Sequence, residues 1–180
     1  MKITLVIFAV IVVAIVLLCA FAPRDFQIER EITINVPKNK VFGEIKFLKN
    51  HEQWNAWSKK DPNAKREYKG TDGAVGFISS WESDIQDLGT AEQEIIGIQD
   101  GEKFETQIRF KKPFEAKFSS YVTTESTGEN QTKVTIGMYD KMPVPMNAIS
   151  LIVNVCLGNQ KKIIQNMDDS LSHLKSHLEK

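Results

Sequence analysis

Residues 102–142, EKFETQIRFKKPFEAKFSSYVTTESTGENQTKVTIGMYDKM, decide the fold class. Phe104, Ile108 and Phe110 share one parity in the first run, and Glu105, Gln107 and Arg109 share the other. Val134, Ile136, Met138 and Met142 repeat the pattern in the last run, with Asp140 among them. A period of two is that of a strand with one side in a core. Lys112-Pro113 and Gly128-Glu129-Asn130 break the runs, and connections this short join antiparallel neighbours.

Upstream the same pattern continues. Strands are predicted over residues 65–69, 76–83, 88–98, 102–110, 115–125 and 132–142, with breaks at Thr71-Asp72-Gly73, Ser83-Asp84 and Asp100-Gly101. An earlier strand is predicted over residues 26–36. Phe26, Ile28, Ile32, Ile34 and Val36 form its apolar face, interrupted by Arg30. Pro37-Lys38-Asn39 opens a helix through Leu48 with the stripe Val41, Phe42, Ile45 and Leu48. His51 to Trp57 reads as a second short helix, ended by Asp61-Pro62-Asn63. Downstream, Met142-Pro143-Val144-Pro145 ends the sheet pattern. A long helix then runs to the C-terminus on the stripe Ile149, Val153, Cys156, Ile163, Met167, Leu171, Leu174 and Leu178, weakened locally by Gly158.

The N-terminus is different. Residues 3–22, ITLVIFAVIVVAIVLLCAFA, carry no charge. As a helix they span roughly 30 Å, the thickness of a bilayer core. Three readings compete: an uncleaved anchor, a cleaved signal peptide and a lipoprotein signal using Cys19. The run exceeds an ordinary signal core, and Pro23 follows the Ala20-Phe21-Ala22 candidate cleavage site. Bulky Leu17 and Leu18 precede Cys19. The anchor reading is therefore favoured, with residues 1–25 as the anchor and 26–180 as one domain. Lys2 on one flank and Arg24 and Arg30 on the other leave the side open, with a lean to the exported face.

Composition excludes several classes. After residue 22, 22 basic residues face 23 acidic ones, so nothing draws the chain to nucleic acid. The two cysteines, Cys19 and Cys156, are not expected to pair, and no Cys/His cluster suggests a metal. His173 and His177 are one turn apart without a third ligand, and no cofactor motif is present.

One strand, two short helices, six strands and a long helix resemble the helix-grip fold of the START-like (SRPBCC) superfamily. Local stretches agree. Ile34-Asn35-Val36-Pro37 with Val41-Phe42, Trp54-Asn55-Ala56-Trp57-Ser58, the stretch from Gly76 through Trp81 to Ser83, and Leu88-Gly89-Thr90-Ala91 resemble family segments. So do Phe110-Lys111-Lys112-Pro113-Phe114 and the closing segment from Met167 to Lys175. The similarity covers residues 26–178 and is strongest to the polyketide cyclase/dehydrase and lipid-transport branch. It implies an α+β fold in which a curved antiparallel sheet of about seven strands wraps a long C-terminal helix. It also implies a cavity for an apolar small molecule or lipid.

Candidate pocket residues are Trp54, Trp57, Phe77, Trp81, Phe104, Ile108, Phe110, Phe118, Met138, Met142, Met146, Ile149 and Val153. Each also reads as ordinary core. Arg30, Glu92, Glu94 and Asp140 are expected to face inward by alternation, as polar contacts for a ligand or as rim pairs. His51 reads as a helix-start residue or as a general base beside Trp54. No nucleophile–base set, phosphate loop or supported acid pair stands out. Noncatalytic binding or transfer of an apolar ligand at a membrane is the leading expectation. A cyclase or dehydratase using the same pocket, and an interaction module with a filled core, remain beside it.

Overall fold

A computed structural model describes residues 2–180, the side chain of Cys156 excepted, so that residue's place in the apolar stripe and its pairing lie outside the described residues. The elements in chain order are α1 (Lys2–Phe21), β1 (Asp25–Ile34), α2 (Lys38–Ile45), α3 (His51–Trp54), α4 (Ala56–Lys60), β2 (Lys65–Lys69), β3 (Ile78–Glu82), β4 (Thr90–Gln99), β5 (Lys103–Lys112), β6 (Ala116–Gly128), β7 (Gln131–Lys141), α5 (Met146–Leu151) and α6 (Asn159–Leu178). The seven strands form one curved antiparallel sheet in the order β1-β7-β6-β5-β4-β3-β2. The chain forms two compact units, residues 2–26 with 140–163, and residues 27–139 with 164–180.

In the larger unit, one face of the sheet is buried by alternation. Cross-strand partners share a face, so Ala91 opposite Phe110, Ile108 opposite Phe118, Phe104 opposite Val122 and Thr124 opposite Val134 define an inner surface. Residues 164–178 of α6 bring Met167, Leu171, Leu174 and Leu178 into the core. Polar ties anchor this helix. Ser170 Oγ accepts from Ala56 N at 2.9 Å and donates to Asn166 O at 2.7 Å, and His173 Nδ1 lies 3.2 Å from Trp54 O. The edge strand β2, KREYK, is mostly exposed and charged, which disfavours pairing with a further strand.

Three helix expectations change. α2 stops at Ile45 and continues as a 3₁₀ turn, Leu48–Asn50. The expected second helix is two, because Asn55 is extended and its Oδ1 accepts from Trp57 N and Ser58 N, capping a new start. The long C-terminal helix is interrupted by a π turn, Ile152–Cys156, and by Gly158 at φ +73°. Consequently Ile149 and Val153, assigned to the same apolar stripe as Leu171, are exposed.

In the smaller unit, the α1 end is held by side-chain and backbone contacts. The Asn147 amide donates to Cys19 O at 2.8 Å and Ala22 O at 3.0 Å, and Met142 N donates to Arg24 O at 2.7 Å. Asn147 thus satisfies carbonyls that a helix end leaves free.

Two glycines give opposite expectations. Gly89 has φ +53°, and a Cβ there would lie 2.1 Å from the Lys112 carbonyl oxygen. Gly43 lies inside α2, where a Cβ would meet nothing within 4 Å. Gly89→Ala is expected to lower the unfolding free energy by more than about 2 kcal/mol. Gly43→Ala is expected to raise it by about 0.5–1 kcal/mol. Denaturant midpoints of the two variants check both signs.

Candidate functional site

The inner face of the sheet is not uniformly closed. Along β5, Phe104 and Thr106 are buried, whereas Ile108 and Phe110 are only half-buried. Along β6, Thr124 and Val122 are buried, and Ser120, Phe118 and Ala116 are half-buried. In β3, Ser79 is buried and Trp81 half-buried. Exposure therefore rises in the same direction along β3, β5 and β6, while Ala91 of the intervening β4 stays buried opposite Phe110. At the closed end sit Trp54, Phe77 and Phe104, all fully buried.

The open end is aromatic. Trp81 meets Phe110 edge to face with centroids 6.3 Å apart, and Phe110 stacks on Phe118 at 5.9 Å. The Trp81 indole nitrogen donates to Leu88 O at 3.1 Å, which fixes the ring. Ile108 sits between Gln93 on one neighbouring strand and Phe118 on the other. Two adjoining polar groups are bonded: Gln93 Nε2 donates to Thr106 Oγ1 at 2.9 Å. Sequence reading passed over Gln93, Thr106 and Ser120, since uncharged polar side chains inside an alternating strand carry no separate signal.

Other candidates fall elsewhere. Met138 is buried on the inner face, and Trp57 is half-buried in α4. In the smaller unit, Met142 is half-buried, and Met146, Ile149 and Val153 are exposed.

Glu92 and Glu94 do not face inward. They lie on the outer face with Arg109, whose Nε and Nη2 donate to Glu92 Oε1 at 2.8 Å and Glu94 Oε2 at 2.7 Å. Lys111 Nζ adds a bond to Glu92 Oε2 at 2.8 Å. The reason is a bulge in β4 between Ile95 and Gly97. It places both Ile95 and Ile98 on the inner side, so the parity of Ile98 misleads when carried back to Glu92 and Glu94. Lys111 and then Arg109 hold the Glu92 carboxyl below the usual range. Arg30 Nε donates to Asp168 Oδ1 at 2.6 Å in a half-exposed pair, and Asp140 Oδ1 accepts from Lys141 N.

His51 is enclosed at the closed end. Its ring lies 4.5 Å from Trp54 and 5.7 Å from Phe104, centroid to centroid. Nε2–H donates to Ile45 O at 2.7 Å, while Nδ1 and the Trp54 indole nitrogen are buried without a protein partner. Burial pushes its pKa down to about 4, against the opposing pull of the Ile45 carbonyl and Asp72. His173 and His177 have separate partners, the Trp54 carbonyl and the Glu44 carboxylate. No group of three or more metal-ligating side chains occurs among the described residues.

Two surface concavities lie apart from the aromatic end. One of about 450 Å³ is lined by Asn35, Val36, Pro37, Lys40, Leu178, Glu179 and Lys180. The other, of about 310 Å³, is lined by Glu29, Arg30, Glu31 and Thr135. Arg30 alone among the candidate residues borders either.

No protein-family model matches the chain, and no curated protein matches it. Solved structures do. The crystal structure of Ara h 8.0201 is similar at 16% identity, over 84% of this chain and 99% of its own, with a TM-score of 0.54. A putative uncharacterised protein from Rhizobium leguminosarum is similar at 13% identity, over 86% and 95%, with a TM-score of 0.60. Norcoclaurine synthase from Thalictrum flavum, solved with dopamine and hydroxybenzaldehyde, is similar at 12% identity, over 88% and 90%, with a TM-score of 0.58. At such identities the likeness defines the fold alone: a helix-grip fold of the Bet v1/SRPBCC type.

The histidine yields a signed pH dependence. The unfolded chain takes up a proton on His51 near pH 6.5, whereas the folded chain does so only near pH 4. Its contribution is therefore fully present above pH 6.5 and is lost as pH falls towards 4, by about 2–3 kcal/mol. Denaturant titrations at pH 7 and pH 4.5 are expected to show that loss in the parent chain. His51→Gln should remove most of the difference.

Proposed function

We propose that the chain is a membrane-anchored binder or carrier of an apolar small molecule or lipid, which lies against the open end of the sheet's inner face. Residues 1–25 serve as the anchor and residues 26–180 as the binding domain. The observation that carries this reading is the burial gradient ending at Trp81, Ile108, Phe110 and Phe118. An apolar ligand laid there removes partly wet aromatic surface from water, the ordinary driving force for such sites. α1 supports the anchor, being 20 residues long, uncharged beyond Lys2 and apolar enough to cross a membrane. The norcoclaurine synthase structure holds aromatic molecules, and small aromatic compounds are accordingly a second ligand class here. Ser79, Gln93, Thr106 and Ser120 are uncharged polar groups on the inner face beside the aromatic end, suited to orienting a ligand.

The test is native mass spectrometry on the full chain extracted gently from membranes. A lipid-mass or other apolar adduct is expected on the parent protein. Ile108→Asp and Phe118→Asp should each reduce it at least about tenfold, because a buried unpaired carboxylate opposes an apolar ligand. The far-UV spectrum and thermal transition monitor folding. A well-folded parent with no adduct would replace this reading with that of an interaction module.

A further inference from the structure

Residues 146–157 pose a separate problem. Met146, Ile149, Ile152, Val153, Val155 and Leu157 are all exposed, with Val155 at 60% and Leu157 at 72%. A soluble surface rarely concentrates apolar side chains this way. No charged side chain lies between Lys141 and Lys161. The side-chain amide N–H groups of Asn147 and Asn154 donate within the protein, while Asn147 Oδ1 is buried without a partner. Asn154 Nδ2 donates to Ser150 Oγ at 2.9 Å, Asn159 Nδ2 donates to Asn154 Oδ1 at 3.1 Å, and the Asn147 amide is spent on Cys19 O and Ala22 O. That economy suits a non-aqueous surrounding.

Resting on the anchor reading of α1, we infer that residues 146–157 lie in the head-group region of the same bilayer, as a second membrane contact beside the anchor. Two observations choose a lipid surface as the occupant. First, Asn147 bonds the carbonyls at the C-terminal end of α1, so the segment begins at the level where that helix leaves the hydrocarbon. Second, the stretch is followed by the basic pair Lys161-Lys162, while Lys141 and Arg24 at its other rim each stand beside an aspartate, Asp140 and Asp25. Cations at the rim of an apolar segment match anionic head groups. As a helix the segment measures only about 18 Å, too short to cross. The π turn Ile152–Cys156 and Gly158 then release the chain into α6.

The test uses the full chain in vesicles of phosphatidylcholine and phosphatidylglycerol, doped with a phosphatidylcholine that carries a diazirine on its acyl chain. After illumination, labelled peptides are mapped by mass spectrometry. Label is expected in α1 and in residues 149–157. In a double variant, Val155→Asp with Leu157→Asp, label in 149–157 should fall at least about tenfold while label in α1 persists. Both positions are exposed, and an unchanged thermal transition confirms that the variant folds. Label in α1 but not in 149–157 overturns the inference and leaves the anchor standing. Label in 149–157 that survives the double variant and is matched in residues 104–122 points to a lipid held by the protein, and also overturns it. Absence of label from both segments sinks the anchor and the inference together.

Discussion

The inner face of the sheet must be kept from water, and most of the larger unit follows from how that is done. Ile34, Ile95, Phe104 and Val134 project from four strands into the same fully buried layer as Met167, Leu171 and Leu174 of α6. Each such side chain contributes on the order of 1.5–3 kcal/mol when fully buried. α2 adds Val41, Phe42 and Ile45, and α3 adds Trp54. The polar bonds in this layer serve alignment. Ser170 joins the start of α4 to α6, and Thr132 Oγ1 donates to Val36 O at 2.7 Å beyond the end of β1. A helix rotated by one residue would lose both its leucines' contacts and the Ser170 bond, so the stripe and the polar tie specify the same register.

The strands were legible because burial on one face imposes a period of two, and every predicted strand overlaps an observed one. The helical segments were less so. Asn55 breaks what reads as one amphipathic turn, because its side chain competes with the backbone for the next helix start. Gly158 lies in a segment whose apolar spacing reads as one helix, and nothing in that spacing reveals that its φ is positive. The faces of Glu92 and Glu94 were misread for a similar reason. A bulge adds one residue to β4 and reverses parity, and Ile95, Ile96 and Ile98 supply apolar residues of both parities from which to count.

Among the candidate residues, the sequence could not separate core from site. Trp54, Phe77 and Phe104 are apolar residues in alternating or amphipathic segments, and so are Trp81, Phe110 and Phe118. What distinguishes the two sets is how much covers them. Cover is a property of α2, α3 and α6 as packed elements, not of the strands that carry the aromatics. His51 illustrates the converse. A histidine beside a tryptophan reads as chemistry or as a helix start, yet burial holds it neutral and ties it to the Ile45 carbonyl.

The open end carries a cost that packing alone does not explain. A large aromatic side chain can bury 150–250 Å², so leaving about a quarter of one exposed forgoes roughly 1–1.5 kcal/mol. Trp81, Phe110 and Phe118 each forgo part of that burial. Their positions are nevertheless constrained: two ring contacts and the Trp81–Leu88 bond hold them in order. The neighbouring polar pair, Gln93 with Thr106, is joined by one hydrogen bond. An ordered, partly wet apolar surface beside bonded polar groups gains free energy from any apolar molecule of fitting shape. If a lipid lies there as proposed, Glu92, Glu94 and Arg109 cannot sort its head group, because their charges are paired on the opposite face. Under the proposed reading, selectivity at this surface has to come from the shape and length of the apolar part of the ligand.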